Sequence, residues 1–141
     1  MDIIRRNTDY SLRFAVNLAQ KYGKNPVSAR ILSEEEKVPY QLTCKLLQKL
    51  HHAGFVESRM GPKGGYFLAM APSEITLTSL VQTIQGPVSI NQCLFEQHIC
   101  PRQPNCPISR KLSELQEHMD SFLSRTTLED VCSTAKDTKT K

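Results

Sequence analysis

The sequence predicts a mainly α protein with one small β-hairpin wing, organised as a winged helix-turn-helix followed by a long dimerisation helix. Three observations carry this. Two short amphipathic segments, "ARILSEEEK" and Tyr40–Ala53, are separated by "VPYQ", where Pro39 disfavours helix at Val38. Directly after them, "FVESRMGPKGGYFLAMAP" reads as strand, glycine-rich turn, strand. Further on, "PISRKLSELQEHMDSFLSRT" repeats its apolar residues at steps of four and three, which is a heptad seam.

Taken in order, "NTDYSLRFAVNLAQKYGK" is the first helix. Asn7 or Thr8 can cap it, Asp9 complements the dipole, and Leu12, Ala15, Val16 and Ala19 form its apolar stripe before Gly23. Ser28 can cap the second helix. The third exposes a core face of Leu42, Leu46, Leu47 and Leu50, and Gly54 ends it. Arms at Phe55–Ser58 and Tyr66–Ala69 make the hairpin, with Gly61, Pro62, Gly64 and Gly65 at its tip. "ITLTSLVQTIQG" is a fourth helix, capped near Thr76 and stopped by Gly86. Pro107 suits the first turn of the long helix. Its seam is Ile108, Leu112, Leu115, Met119 and Phe122, and a narrow seam on an otherwise polar helix calls for a second copy of the chain. The expected organisation is therefore a DNA-binding winged domain over 1–86 and a cysteine-rich loop over 87–107. The dimerisation helix follows over 108–126, then a short terminal helix over 127–135 and a frayed tail over 136–141.

At 141 residues, 39% hydrophobic and 23% charged, the chain suits one globular domain. No apolar run approaches the roughly 20 residues that span a bilayer. The N-terminus lacks a signal-peptide pattern, so a cytoplasmic protein with reduced thiols and no membrane partner is expected. No P-loop, GxSxG or HExxH pattern occurs, and neither an enzyme nor a small-molecule substrate is expected. The net charge of +4 is unevenly spread: residues 1–70 carry eleven Lys/Arg against six Asp/Glu, and residues 71–141 seven against eight. The excess of positive charge lies in the helix-turn-helix half, which points to double-stranded DNA.

On the third helix Tyr40, Gln41, Lys45, Gln48 and Lys49 lie largely off the leucine face, where a major-groove helix reads bases and phosphates. Gln41 and Lys45 are candidates for base contacts and Lys49 for a phosphate. Ser28 and the nearby N–H groups offer an anion site at a helix start. Arg59, Lys63 and Gly64 place charge and bare backbone on the wing. Glu34, Glu35 and Glu36 would repel phosphate and are expected to face away.

"QCLFEQHICPRQPNCPISRK" sets Cys93, Cys100 and Cys106 among three prolines. The spacing is too wide for a CxxC zinc knuckle but can wrap an iron–sulfur cluster, whose usual ligands are thiolates. Three thiols leave a fourth ligand to be found, and His98 is the local candidate. Cys44 and Cys132 remain outside this set.

"TDYSLRFAVNLA", the stretch from "VPYQL" through "GPKGGY" to "TIQG", the three cysteines and "TTLEDV" together resemble the Rrf-two family of bacterial winged-helix regulators over nearly the whole chain. The resemblance implies homodimers on roughly palindromic operators. It also implies a cluster-bearing loop beside the dimer helix, with a 4Fe–4S or 2Fe–2S cluster sensing nitric oxide, oxygen and redox state, or iron–sulfur status. Some members take the fourth ligand from a His three residues after the last cysteine; here that residue is Ser109. Others use an Asp near the N-terminus of the partner subunit, and Asp9 stands at the matching place. The residue before the first wing glycine is often Arg in this family; here it is Met60, with Arg59 next door. The competing readings are a winged-helix regulator with zinc or free thiols, and a winged helix that binds a protein partner instead of DNA.

Overall fold

The computed structural model describes residues 2–96 and 100–138. Helix α1 spans Arg6–Gln20, α2 Ala29–Glu36 and α3 Tyr40–His52. The strands β1, Val56–Arg59, and β2, Gly65–Leu68, follow. Then come α4, Leu77–Gln85, the single turn α5, Gln92–Phe95, the long α6, Pro107–Arg125, and α7, Leu128–Thr138.

The start of α1 departs from expectation. Neither Asn7 nor Thr8 caps it; Arg5 is the N-cap, with no side-chain bond, and Thr8 is buried inside the first turn. The cause is long-range. Gln85, at the end of α4, accepts from the Arg5 N–H at 2.9 Å and donates to the Ile3 carbonyl at 2.9 Å. That clamp holds the entering chain and starts the helix earlier. The buried face is also broader than a stripe: Phe14, Ala15, Leu18 and Ala19 are buried, while Leu12 and Val16 are half-buried.

Ser28 caps α2 as expected, its Oγ accepting from the Ile31 N–H at 3.2 Å. Lys37 takes the left-handed conformation at φ 55°, which turns the chain into α3. The glutamates at the end of α2 are drawn onto α1. Lys21 Nζ lies 2.8 Å from Glu35, Asn17 donates to Glu35 at 2.7 Å and to Glu36 at 3.0 Å, and Arg13 pairs with Glu36 at 3.2 Å. Lys21, then Asn17, hold the Glu35 carboxyl below its ordinary range. On α3, Leu46, Leu47 and Leu50 are buried, Leu42 is half-buried, and Thr43 is buried with its hydroxyl on the Pro39 carbonyl at 3.1 Å.

The hairpin pairs Val56 with Leu68 and Arg59 with Gly65 in antiparallel register. It is joined to the helices by a bridge: Val27 and Tyr66 exchange backbone hydrogen bonds of 2.9 and 2.7 Å. Gly65, at φ 148°, makes that approach possible, because a Cβ there would run into the backbone of Val27 and Ser28. Thr76 caps α4 through the Ser79 N–H at 3.2 Å.

One core unites α1–α4, the hairpin and α7, around Phe14, Leu32, Leu46, Leu47, Leu50, Val56, Ile75 and Leu80. The terminal helix is part of this core. Leu128 is fully buried, its N–H bonds the Ile75 carbonyl at 3.0 Å, and the Leu77 N–H bonds the Thr126 carbonyl at 2.9 Å. Thr127 and Asp130 cap α7 reciprocally: Thr127 N–H donates to Asp130 at 2.9 Å and Asp130 N–H to Thr127 Oγ1 at 3.3 Å. These bonds hold the Asp130 carboxyl below its usual range. The helix runs to Thr138, so residues 136–138, expected to fray, are helical. Docking on α1 and the cap carry it past the limit that apolar pattern alone suggested. Residues 139–141 lie outside the described residues.

Helix α6 is different. It buries no residue. Gln116 fixes it to the chain after α4, accepting from the Ile90 N–H at 2.9 Å and donating to the Val88 carbonyl at 2.8 Å. Gln116 lies roughly a quarter-turn from the seam, at ~100° per residue. The seam is left open: Ile108, Leu115 and Phe122 are 69%, 52% and 54% exposed, and Leu112 and Met119 are partly covered.

Candidate functional site

The face of α3 opposite its leucines carries Gln41, Lys45, Gln48 and Lys49, all exposed, and Tyr40 at its first turn. Among the described residues neither Lys45 nor Lys49 makes an ion pair. The contrast with α2 is informative, because Glu35 and Glu36 are neutralised on α1 and leave this face positive. Tyr40 is braced by Arg30, whose guanidinium stacks over its ring at 4.8 Å. Cys44, one turn along, is half-buried, and its thiol beside the Tyr40 hydroxyl pushes that phenol up.

The wing sits against the start of α2. The Val27–Tyr66 bridge brings β2 beside Ser28, so the cap of α2 and the wing form one rigid edge. Arg59 stacks over Phe67 at 5.5 Å. Lys63 is exposed at the tip, and the Gly64 N–H closes the turn on the Gly61 carbonyl at 2.9 Å. Met60, beside Arg59, is 93% exposed. Ser28, Tyr40, Gln41, Lys45, Arg59 and Lys63 thus belong to connected elements. Sequence reasoning missed Arg30 and Phe67; each was legible as a cation or ring, but its partner was not.

The cysteine segment lies between α4 and α6. Cys93 is on α5 and points at the first turn of α6, its Sγ 4.0 Å from Ser109 Oγ. Cys106 is the N-cap of α6, and Cys100 is exposed. Gln103 ties the loop, its side-chain amide donating to the carbonyls of Cys93 and Glu96 at 2.6 Å each. His98 lies outside the described residues. Asp9 is exposed on α1, with Arg13 of its own chain at 3.5 Å. All five cysteines are free. The donor chemistry suits a thiolate-held group. Among the described residues, however, no three His, Cys, Asp or Glu side chains are gathered closely enough to hold a metal ion. Of the other thiols, Cys132 lies 3.9 Å from the Val16 carbonyl, and burial pushes it up.

Two short helices, a tight turn and a wing tied to the second helix define a winged helix-turn-helix protein. The chain belongs to the Rrf2 family, described as iron-dependent transcriptional regulators, whose model matches residues 4–134. It is 29% identical over 125 residues to the transcriptional regulator CymR of Bacillus subtilis, covering 88% of this chain and 85% of that one. It is 30% identical over 125 residues to the transcriptional repressor NsrR of Streptomyces coelicolor, covering 88% and 84%. Among solved structures it superposes on CymR, the global cysteine regulator of B. subtilis, with a TM-score of 0.79, 26% identity and coverage of 95% and 98%. T. potens IscR shares the fold, with a TM-score of 0.76 at 21% identity over 96% and 89% of the two chains. The protein is thus a transcriptional regulator and not an enzyme. Among the described residues no helix is long and apolar enough to cross a membrane.

Proposed function

We propose that the protein is a cytoplasmic, homodimeric regulator that binds a roughly palindromic DNA operator through α3 and the wing, with affinity set by an iron–sulfur cluster on the cysteine loop. One observation carries the DNA reading: Glu35 and Glu36 at the end of α2 are held by side chains of α1, while Lys45, Lys49 and Lys63 on α3 and the wing make no ion pair among the described residues. Gln41 and Lys45 read base edges, Tyr40, Gln48 and Lys49 contact the backbone beside them, and Ser28, Arg59 and Lys63 hold the flanking phosphates, with Gly64 leaving the wing tip bare for close approach. The open seam Ile108, Leu112, Leu115, Met119 and Phe122 joins two copies and spaces their α3 helices.

Cys93, Cys100 and Cys106 would hold the cluster, with Asp9 of a second copy as fourth ligand and His98 as the alternative. Bound there, it supplies the reactivity toward nitric oxide and oxidants. The protein side of the response is mechanical. Cys93 is on α5 and Cys106 begins α6, so drawing their thiols together fixes α5 against the first turn of the dimer helix. Releasing them frees that turn, and the spacing of the two α3 helices changes. A differential affinity of about 1–3 kcal/mol between the states is enough for control.

Anaerobic purification with iron and sulfide counting tests the cluster. Loaded protein should be coloured, and Asp9→Ala should change its spectrum. Colourless protein without iron after reconstitution removes the cluster. A second reading keeps DNA binding but uses zinc or free thiols. The ungathered cysteines among the described residues support it. Metal analysis separates the two. Binding to duplex DNA should weaken steeply with salt, and Lys45→Ala with Lys49→Ala should flatten the log–log slope by about 0.9 per lost phosphate contact. Salt-independent or absent binding would favour a protein-partner role.

A further inference from the structure

We infer an oxyanion site of the phosphate class at the N-terminus of α1, on side chains that neither the reading helix nor the cysteine loop uses. Its donors are free. The first helical bond runs from the Asp9 N–H to the Arg5 carbonyl at 2.9 Å, and no side chain caps the helix. The N–H groups of Arg6, Asn7 and Thr8 therefore have no acceptor among the described residues. They stand at the positive end of a fifteen-residue helix, where an anion is favoured.

A second observation is independent of the helix end. Thr8 is 0% exposed, and its Oγ1 finds no hydrogen-bond partner among the described residues. It lines a cavity of about 320 Å³ together with Arg5, Arg6, Asn7, Ile84 and Gln85. A buried hydroxyl without a partner is costly, and an oxyanion seated deeply enough in this cavity to reach it would accept a hydrogen bond from it. The charge balance agrees. Arg5 and Arg6 are exposed and, among the described residues, pair with no carboxylate, while Asp9 is turned toward Arg13. The Gln85 clamp on Ile3 and Arg5 holds the floor of the site in place. The volume exceeds that of a bare phosphate, so the test separates a phosphoryl group on a small carrier from a phosphodiester of DNA.

Amide NMR of the whole chain tests this, with inorganic phosphate added at constant ionic strength against chloride, and separately with a duplex oligonucleotide. Phosphate should shift the amides of Arg6, Asn7 and Thr8 saturably. Combining Arg5→Gln and Arg6→Gln should weaken that binding about tenfold by removing two charge-assisted contacts. Thr8→Val conserves shape. It should melt no lower than the parent in phosphate-free buffer and lose the rise in Tm that phosphate confers on the parent. Saturation by inorganic phosphate assigns a free or esterified phosphate as the ligand. Shifts at these amides with the oligonucleotide alone assign the site to the DNA backbone. The inference is overturned if neither ligand shifts them, if both variants respond as the parent does, or if Thr8→Val loses stability while phosphate has no effect on either protein.

Discussion

In the winged half, Phe14, Leu32, Leu46, Leu47, Leu50 and Leu128 are sealed from solvent; along α6 no residue is buried, and Ile108, Leu115 and Phe122 stand more than half exposed. Both regions are amphipathic helices of ordinary composition. They differ in where the apolar face finds its complement. The helices of the winged half enclose one another and close on the hairpin and α7. The seam of α6 points a quarter-turn away from its anchor at Gln116, and among the described residues Leu112 and Met119 are only partly covered while Ile108, Leu115 and Phe122 stay open. A core satisfied within the chain builds a rigid reading head, while a face left open builds an assembly surface. The cysteine loop lies between the two in the chain, joining α4 to α6.

Substitutions should separate the two regions. The largest contrast is Leu47→Ala against Leu115→Ala. The first opens a cavity in the sealed core and should cost about 2–5 kcal/mol in urea denaturation. The second should leave the isolated subunit within about 0.5 kcal/mol. Leu115→Glu should then convert dimer to monomer in sedimentation without unfolding the head. Equal losses for Leu47→Ala and Leu115→Ala would show that α6 is part of the core. Next comes the wing. Gly65→Ala forces backbone apart at the Val27 bridge and should cost about 1–3 kcal/mol, with weaker DNA binding and an unchanged dimer. Thr127→Ala removes one half of the α7 cap and should cost about 1 kcal/mol in the head alone.

The smallest effect is one of pH. The folded Glu35 carboxyl titrates below its unfolded value, so its contribution is present above the ordinary carboxylate range and is lost as pH falls through the folded value. Lowering the pH below about 4 should loosen α2 from α1, and Glu35→Gln should flatten part of that acid limb in a melting series. The pair is solvent-exposed, so salt should reduce the effect.

Local chemistry was readable where its partners are near in sequence. Ser28 and Thr76 cap the helices that follow them, Pro107 begins α6, and the heptad residues share one open face. The expected cap at Asn7 or Thr8 failed because Gln85, eighty residues from Arg5, determines where α1 begins. Arg30 on Tyr40 and Gln103 on the loop carbonyls were equally invisible, since each depends on a meeting of segments rather than on a pattern within one. The candidate site divides the same way. The residues of α3 and the wing could be named from the face they occupy. The relative placement of the three thiols could not, because a proline-rich loop has no periodicity to read.

By itself, the sequence determined the winged helix-turn-helix class, the positive half, the thiol-rich loop and the open heptad, because each follows from spacing, capping and charge along a few consecutive residues. Tertiary structure alone decided that Glu35 and Glu36 are neutralised on α1, that Val27 joins the wing to α2, and that α7 returns to close the first core. It also set Thr8, without a hydrogen-bond partner among the described residues, in a cavity that Arg5 and Arg6 line. These are contacts between segments far apart in the chain, and their geometry exists only once the core has formed.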